Sequence, residues 1–394
     1  MSHFFRFVCL ALTIALLCGC HNFSESQPST SDNSVSTDSS AQKEDTPLSE
    51  SRDPASTFSE SPTSAILYDS SQIPGKVNNL YFAHDNKILI YSDTLSLYDP
   101  SNGTVTARYD VGSSSSLMCF TLNNGYAIIT DEAFHSVEPS FQATSSEKFV
   151  CTFLSEQLEP ISQIDISQYF GEGDIFLSSA VSSDGKTLAL AGVQFLYIVQ
   201  TENSTCTTID LTTCSVEGIR PSGINGMHFG NSSNELLFTA STVDGPNVLG
   251  KITLDDQNVV TILPDQYSVG EEILSLGSEF AFVEDFMKAS GNLLILDPTD
   301  MSTRIFPFSN AGEGADGVSI SNGGKYIVTA TLGSSSAKFR VYSAESESLI
   351  HEESITADPA LFSRVPYYLV LEDSKTCFVL ARNGSDSQSF SFSF

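Results

Sequence analysis

The sequence predicts an all-β chain: a seven-bladed β-propeller of four-stranded antiparallel blades, preceded by a tether. Three observations carry this reading. No stretch holds a 3.6-residue apolar period for three turns, so helices should be few. From about Ser64 onward the chain is a succession of short alternating, β-branched and aromatic runs with polar turns between them. One turn-plus-strand unit also recurs through that whole region at a blade-like spacing.

The N-terminus reads as an address. Arg6 precedes the apolar run Phe7 to Leu17, which is too short to span the ~30 Å of a bilayer's hydrocarbon as a mature helix. A basic start, a short apolar stretch and small residues before a cut describe a secretory signal peptide over residues 1–19. Leu17-Cys18-Gly19-Cys20 resembles the bacterial lipobox, with Cys18 where that family prefers Ala, Ser or Thr. The resemblance implies cleavage after Gly19, lipid (palmitate-type) attachment at Cys20, and a membrane anchor on the extracytoplasmic side. An ordinary signal peptide that happens to end in Cys is the alternative.

Residues 20–63 follow, roughly four in ten of them Ser or Thr, with almost nothing to bury. Such a composition cannot offset the entropy of ordering, so a disordered tether is expected. Its root-mean-square reach is about 35–40 Å, which would hold the domain off the membrane.

Residues 64–394 are the predicted propeller. Ser183-Asp184-Gly185-Lys186-Thr187-Leu188-Ala189-Leu190-Ala191 and Ser321-Asn322-Gly323-Gly324-Lys325-Tyr326-Ile327-Val328 are two copies of one unit. Looser copies begin at His84, Asn123, Asn231 and Leu276, each a Gly, Asn, Asp or Ser turn suited to a tight hairpin and followed by a strand. A second element ends in its own turn, as in Leu95-Ser96-Leu97-Tyr98-Asp99-Pro100 and Leu293-Leu294-Ile295-Leu296-Asp297-Pro298. Successive first turns fall near 85, 124, 185, 233, 277 and 323, with a last unit around 366. The mean step of about 47 residues suits a propeller blade.

These units resemble the WD40-like repeats of bacterial β-propellers (the YVTN and TolB type), whose motif is Ser-Pro-Asp-Gly-Lys followed by alternating aliphatics. Ser182-Ser183-Asp184-Gly185-Lys186 has Ser183 in place of Pro, and Asn322-Gly323 replaces Asp-Gly in the sixth unit. The chain has no Trp, so the Trp-Asp pair of eukaryotic-type repeats cannot form. A propeller must also join its last blade to its first, because open sheet edges are liabilities. Ala65-Ile66-Leu67-Tyr68 and the alternating tail Ser389-Phe390-Ser391-Phe392-Ser393-Phe394 are the candidates to meet in the final blade, with the Phe column facing a neighbour.

Composition excludes some functions. With 18 Lys+Arg against 48 Asp+Glu, the formal charge is −30, which removes the clustered bases that nucleic-acid binding needs. Loss of residues 1–19 removes Arg6 alone among charged groups, so the mature chain is more acidic still. Anionic lipid headgroups should repel it, and a basic partner or one read by apolar loops would suit it.

Candidate chemistry is sparse. Gly312-Glu313-Gly314-Ala315-Asp316-Gly317 matches a dinucleotide fingerprint in letters, but a strand and another repeat turn follow it instead of a helix, so it reads as an inter-blade loop. No Gly-x-Ser-x-Gly elbow occurs, and His84, His135, His228 and His351 lack zinc-ligand spacing. No cofactor is implied. Cys119, Cys151, Cys206, Cys214 and Cys377 form an odd set. A straight strand between Cys206 and Cys214 would hold them beyond the ~7 Å of a disulfide, so buried free thiols are expected for most of the five.

The second unit is irregular, with residues 131–147 inserted between two strands. Long loops on a rigid scaffold are where recognition concentrates, and Phe134, His135, Glu138 and Phe141 are the contact candidates. The expected function is therefore non-enzymatic: a membrane-anchored scaffold that binds an envelope protein or a small ligand. An enzyme of lactonase or lyase type, with its site on the propeller axis, is the alternative.

Overall fold

The structure is a computed structural model. It describes residues 66–68, 77–112, 117–132, 148–171, 174–211, 213, 221–242, 247–255, 259–263, 269–284, 293–306, 308, 315–383 and 386–394. All belong to one compact unit, Ser61–Phe394. The signal peptide, Cys20 and the tether lie outside the described residues.

A short strand β1 (Ile66–Tyr68) comes first. Blade 1 is β2 (Asn79–Phe82), β3 (Ile88–Tyr91), β4 (Thr94–Asp99) and β5 (Thr104–Asp110). Blade 2 is β6 (Leu117–Leu122), β7 (Gly125–Glu132), β8 (Lys148–Leu154) and β9 (Pro160–Asp165). Blade 3 is β10 (Ser178–Val181), β11 (Thr187–Ala191), β12 (Phe195–Gln200) and β13 (Thr205–Asp210). Blade 4 is β14 (Pro221–Phe229), β15 (Glu235–Thr242), β16 (Val248–Thr253) and β17 (Val259–Leu263). Blade 5 is β18 (Val269–Leu276), β19 (Glu279–Glu284), β20 (Leu293–Leu296) and β21 (Thr303–Phe306). Blade 6 is β22 (Gly317–Ile320), β23 (Tyr326–Leu332), β24 (Ser336–Ser343) and β25 (Ser348–Thr356). Blade 7 takes β26 (Tyr367–Leu371), β27 (Thr376–Asn383) and β28 (Asp386–Ser393), with β1 as its fourth strand. Blades 1 to 6 are simple antiparallel meanders, and blade 7 is a three-strand meander completed by β1.

The ring closes as the sequence suggested. β1 pairs antiparallel with β28, Leu67 opposite Phe390, so the two termini share one blade. The Phe column of the tail faces blade 6: Phe392 packs 5.8 Å from Phe339, and Phe394 meets Tyr326 edge-on at 5.0 Å. One position differs. The first turn of blade 7 is Glu372-Asp373-Ser374-Lys375 rather than a unit near 366, and Lys375 takes the left-handed conformation (φ 48°) that Gly185 and Gly324 take in blades 3 and 6.

The core is distributed between blades. Each of the seven boundaries holds its own apolar cluster, and alternate residues of the middle strands serve opposite neighbours. In β3, Ile88 and Ile90 face blade 7 while Leu89 and Tyr91 face blade 2. Burial on both faces explains why these strands read as unbroken apolar runs. Outer strands such as β25 are half-exposed and alternate. Fully burying one such side chain contributes about 1.5–3 kcal/mol, so stability is spread around the ring.

The cysteine expectation holds in part. Cys151 and Cys377 are buried free thiols that burial pushes well above the usual thiol range. Cys206 is free but exposed on the edge strand β13, and Cys214 lies outside the described residues. The Gly-rich 312–317 segment falls in the crossover between blades 5 and 6, with Gly317 opening β22. Among the described residues, no helix is long and apolar enough to cross a membrane.

Candidate functional site: the ring of first turns and the cleft between blades 5 and 6

A meander places the first and third turns of every blade at one end of the ring, and the second turns and crossovers at the other. At the first end, neighbouring turns hold one another. The His84 amide of blade 1 donates to the Tyr126 hydroxyl of blade 2 at 3.2 Å, and the two rings lie 5.3 Å apart. The Asn123 amide donates to the Ser183 carbonyl at 2.7 Å, Asn231 Nδ2 to the Ser278 carbonyl at 3.1 Å, and Asn86 Nδ2 to Asp373 Oδ2 at 3.2 Å.

Blade 3 shows how such a turn is built. Ser182 Oγ donates to Asp184 Oδ1 at 2.6 Å, the Lys186 amide donates to the same oxygen at 3.0 Å, and the Thr187 amide donates to Ser182 Oγ at 2.9 Å. The Ser182 hydroxyl and the Lys186 amide hold the Asp184 carboxyl below the usual carboxylate range. The carboxylate is local, supplied by the turn itself.

The strand registers put Gly323 at the position of Asp184, one residue on from the Asn322 that the sequence motif matches to it, so in blade 6 the carboxylate comes from elsewhere. Ser321 Oγ donates to Glu372 Oε2 at 2.9 Å and the Lys325 amide donates to it at 3.3 Å, while the Tyr326 amide donates to Ser321 Oγ at 3.0 Å. Lys325 Nζ adds an ion pair to Glu372 Oε1 at 2.7 Å. A Cβ on Gly323 would lie 2.6 Å from both Glu372 oxygens, so this glycine makes room for its neighbour's side chain. Burial pushes the Glu372 carboxyl up, but the hydrogen bonds from Lys325 and Ser321 outweigh it and hold the group below its ordinary range.

This shift has a sign in stability. A carboxyl lowered by folding contributes stability that is present above its unfolded pKa and lost as pH falls through its folded pKa. Glu372→Gln is expected to lower stability at pH 7 by about 1–2 kcal/mol, since it weakens hydrogen bonds to a charged acceptor. It should also flatten the acid limb of the urea midpoint plotted against pH. An acid limb identical to that of the wild type would refute the assignment.

The glycines at this boundary open a cleft of about 520 Å³ between blades 5 and 6. Gly277 and Gly324 form its floor, where the backbones touch: a Cβ on Gly324 would lie 2.0 Å from the Gly277 nitrogen. Arg304, on β21, spans the cleft, donating from Nη2 to Glu279 Oε2 at 2.9 Å and from Nη1 to Glu347 Oε1. These half-exposed groups pair with one another across the boundary, so the bridge ties blade 5 to blade 6.

The first strands line the axis. Among their described side chains the ionisable groups are His228, Cys119 and tyrosines, while β18 also carries Glu271 and Glu272, whose side chains lie outside the described residues. Burial pushes the His228 imidazole down, and its ring lies 5.1 Å from Phe280. Among the described residues, no group of three or more His, Cys, Asp or Glu side chains is placed to hold a metal ion.

Phe134, His135, Glu138 and Phe141 lie outside the described residues. The ends of their insertion are described: Glu132 of β7 pairs with Lys148 of β8, so it springs from the second turn of blade 2, at the end of the ring away from the cleft. Exposed apolar residues share that end. Ile175 (64% exposed) and Leu177 (39%) sit on the crossover from blade 2 to blade 3, and Val193 (38%) on the second turn of blade 3. Asp174 fixes this patch, accepting from the Val193 amide at 2.7 Å and the Tyr197 hydroxyl at 2.8 Å. Sequence reasoning missed Arg304, Glu279, Glu347 and Glu372. Its one usable signal was Gly323 in a repeat position that elsewhere carries Asp.

The described architecture is a β-propeller scaffold, and comparison with solved structures agrees. The chain is similar to the crystal structure of the Cps50 (Swd1) β-propeller domain of Myceliophteria thermophila, with a TM-score of 0.55 and 9% identity, covering 84% of this chain and 99% of that one. At this identity the likeness is one of fold. No protein-family model and no curated protein matches the chain.

Proposed function

We propose that the protein is a non-enzymatic binding scaffold, lipid-anchored through Cys20 on the extracytoplasmic side of a bacterial membrane, that holds an envelope protein or other envelope component. The observation that carries the binding part is the fold: seven four-stranded blades packed into one ring form a rigid scaffold, and loops on such a scaffold are where binding residues concentrate. Support for the anchor comes from the lipobox-like Leu17-Cys18-Gly19-Cys20.

Contact runs through the end of blades 2 and 3 from which the 131–147 insertion springs, with Phe134 and Phe141 as anchors; the exposed apolar Ile175 and Val193 share that end. Aromatic residues are frequent interface hot spots. In the test, the full chain is used to capture its partner from detergent-solubilised envelope, as wild type and as Phe134→Ser/Phe141→Ser. The double variant should keep its thermal midpoint, because exposed substitutions usually cost within about ±0.5 kcal/mol each, and should lose the partner. Equal capture would make the loop incidental. Unfolding would place both rings in the core and also defeat the reading.

A further inference from the structure

We propose that blade 7 acts as a latch for blade 6: the Glu372 carboxylate completes a turn that blade 6 cannot complete by itself, so the two blades open and close as one unit. The argument rests on the match between two turns. In blade 3 a hydroxyl (Ser182) and an amide (Lys186) converge on a carboxylate two residues beyond the serine. In blade 6 the corresponding hydroxyl (Ser321) and amide (Lys325) converge on a carboxylate 51 residues beyond the serine.

The local position is emptied to suit. Gly323 leaves the space that Glu372 fills, and it is not in the left-handed conformation, so nothing in the backbone demands glycine there. The charged groups around Glu372 are Lys325 across the boundary and, in its own turn, Asp373 and Lys375; Asn86 of blade 1 engages Asp373. With blade 7 displaced, the Ser321 hydroxyl and the Lys325 amide lose their acceptor. Water then replaces a charged acceptor, and hydrogen bonds to charged groups contribute more than neutral ones, so the turn loses that support. Blade 6 therefore depends on the blade that also holds both chain ends of the ring.

The test uses the full chain in four forms: wild type, Glu372→Ala, Gly323→Asp and the double variant. Amide exchange at Lys325 and Tyr326 and the thermal midpoint are read for each. In Glu372→Ala the two amides should exchange about tenfold faster than in wild type. Gly323→Asp alone should lower the midpoint, since its Cβ meets the Glu372 oxygens and two carboxylates share one site. The double variant returns the carboxylate to the blade 3 arrangement, so its midpoint should lie above both single variants. Its Lys325 and Tyr326 amides should also stay protected when β26–β28 open, whereas in wild type the two protections fall together. Unchanged exchange in Glu372→Ala, or a double variant no more stable than the more stable single, would overturn the latch. If Gly323→Asp fails to fold, Glu372→Gln replaces it. Glutamine keeps an acceptor oxygen without the charge, so exchange between wild type and Glu372→Ala supports the latch, and exchange equal in all three forms overturns it.

Discussion

Gly324→Ala is expected to destabilise the propeller by about 3–5 kcal/mol, a cost reached when a buried contact and a strained backbone are disturbed together. Two effects add. Gly324 has φ +77°, where an L side chain costs about 1–2 kcal/mol. Its Cβ would also lie 2.0 Å from the Gly277 nitrogen and 2.6 Å from the Leu276 carbonyl carbon, both backbone atoms that cannot rotate away. Blades 5 and 6 would have to separate, disturbing a boundary that buries Leu276, Ile320 and Ile327. Gly112 is the internal control. It has φ +70° and nothing within 4 Å of its added Cβ, so Gly112→Ala should show the backbone strain alone. Denaturant midpoints of the two variants separate the terms. Equal losses would mean that the blades absorb the collision.

Cys20→Ala carries the other large effect, expected to be all-or-none. Without Cys20 there is no thiol to take the diacylglyceryl group, so the variant should remain an unprocessed precursor with residues 1–19 attached. Metabolic labelling with a fatty-acid analogue should mark the wild type and not the variant. Failure to mark the wild type would remove the anchor from the proposed function and leave the propeller unaffected. Binding would then have to be explained without a tether to raise the local concentration.

What could be read from the sequence was whatever short-range rules write into it. Turns rich in Gly and Asn and strands of alternating or unbroken apolar residues are local signals, and they located six of the seven first turns. The seventh was displaced because its left-handed position is held by Lys375, a residue that gives no turn signal. Closure was legible because Ser389–Phe394 alternates so strictly, and β28 with β1 is where it lands. The cleft was not legible. Arg304, Glu279 and Glu347 come from two blades, and Glu372 lies 51 residues from the serine it serves, so no window of sequence holds them together. The exposed Cys206 escaped for a related reason: edge strands expose residues that an interior strand of the same composition would bury.

β1 gives the ring a mechanical character. Any pull transmitted along residues 20–65 enters the domain at Ile66, on a strand joined to β28 by three residue pairs. The ladder between β24 and β25 joins eight, and that between β12 and β13 joins six. Under load the shortest ladder yields first, and tugging shears β1 off before any blade is torn. The chain does not part there, because it runs on from Tyr68 to β2 in blade 1. Yielding would free the chain from Ile66 up to β2 while leaving three-stranded blade 7 and six intact blades in place. The strand that closes the ring is also its shock absorber.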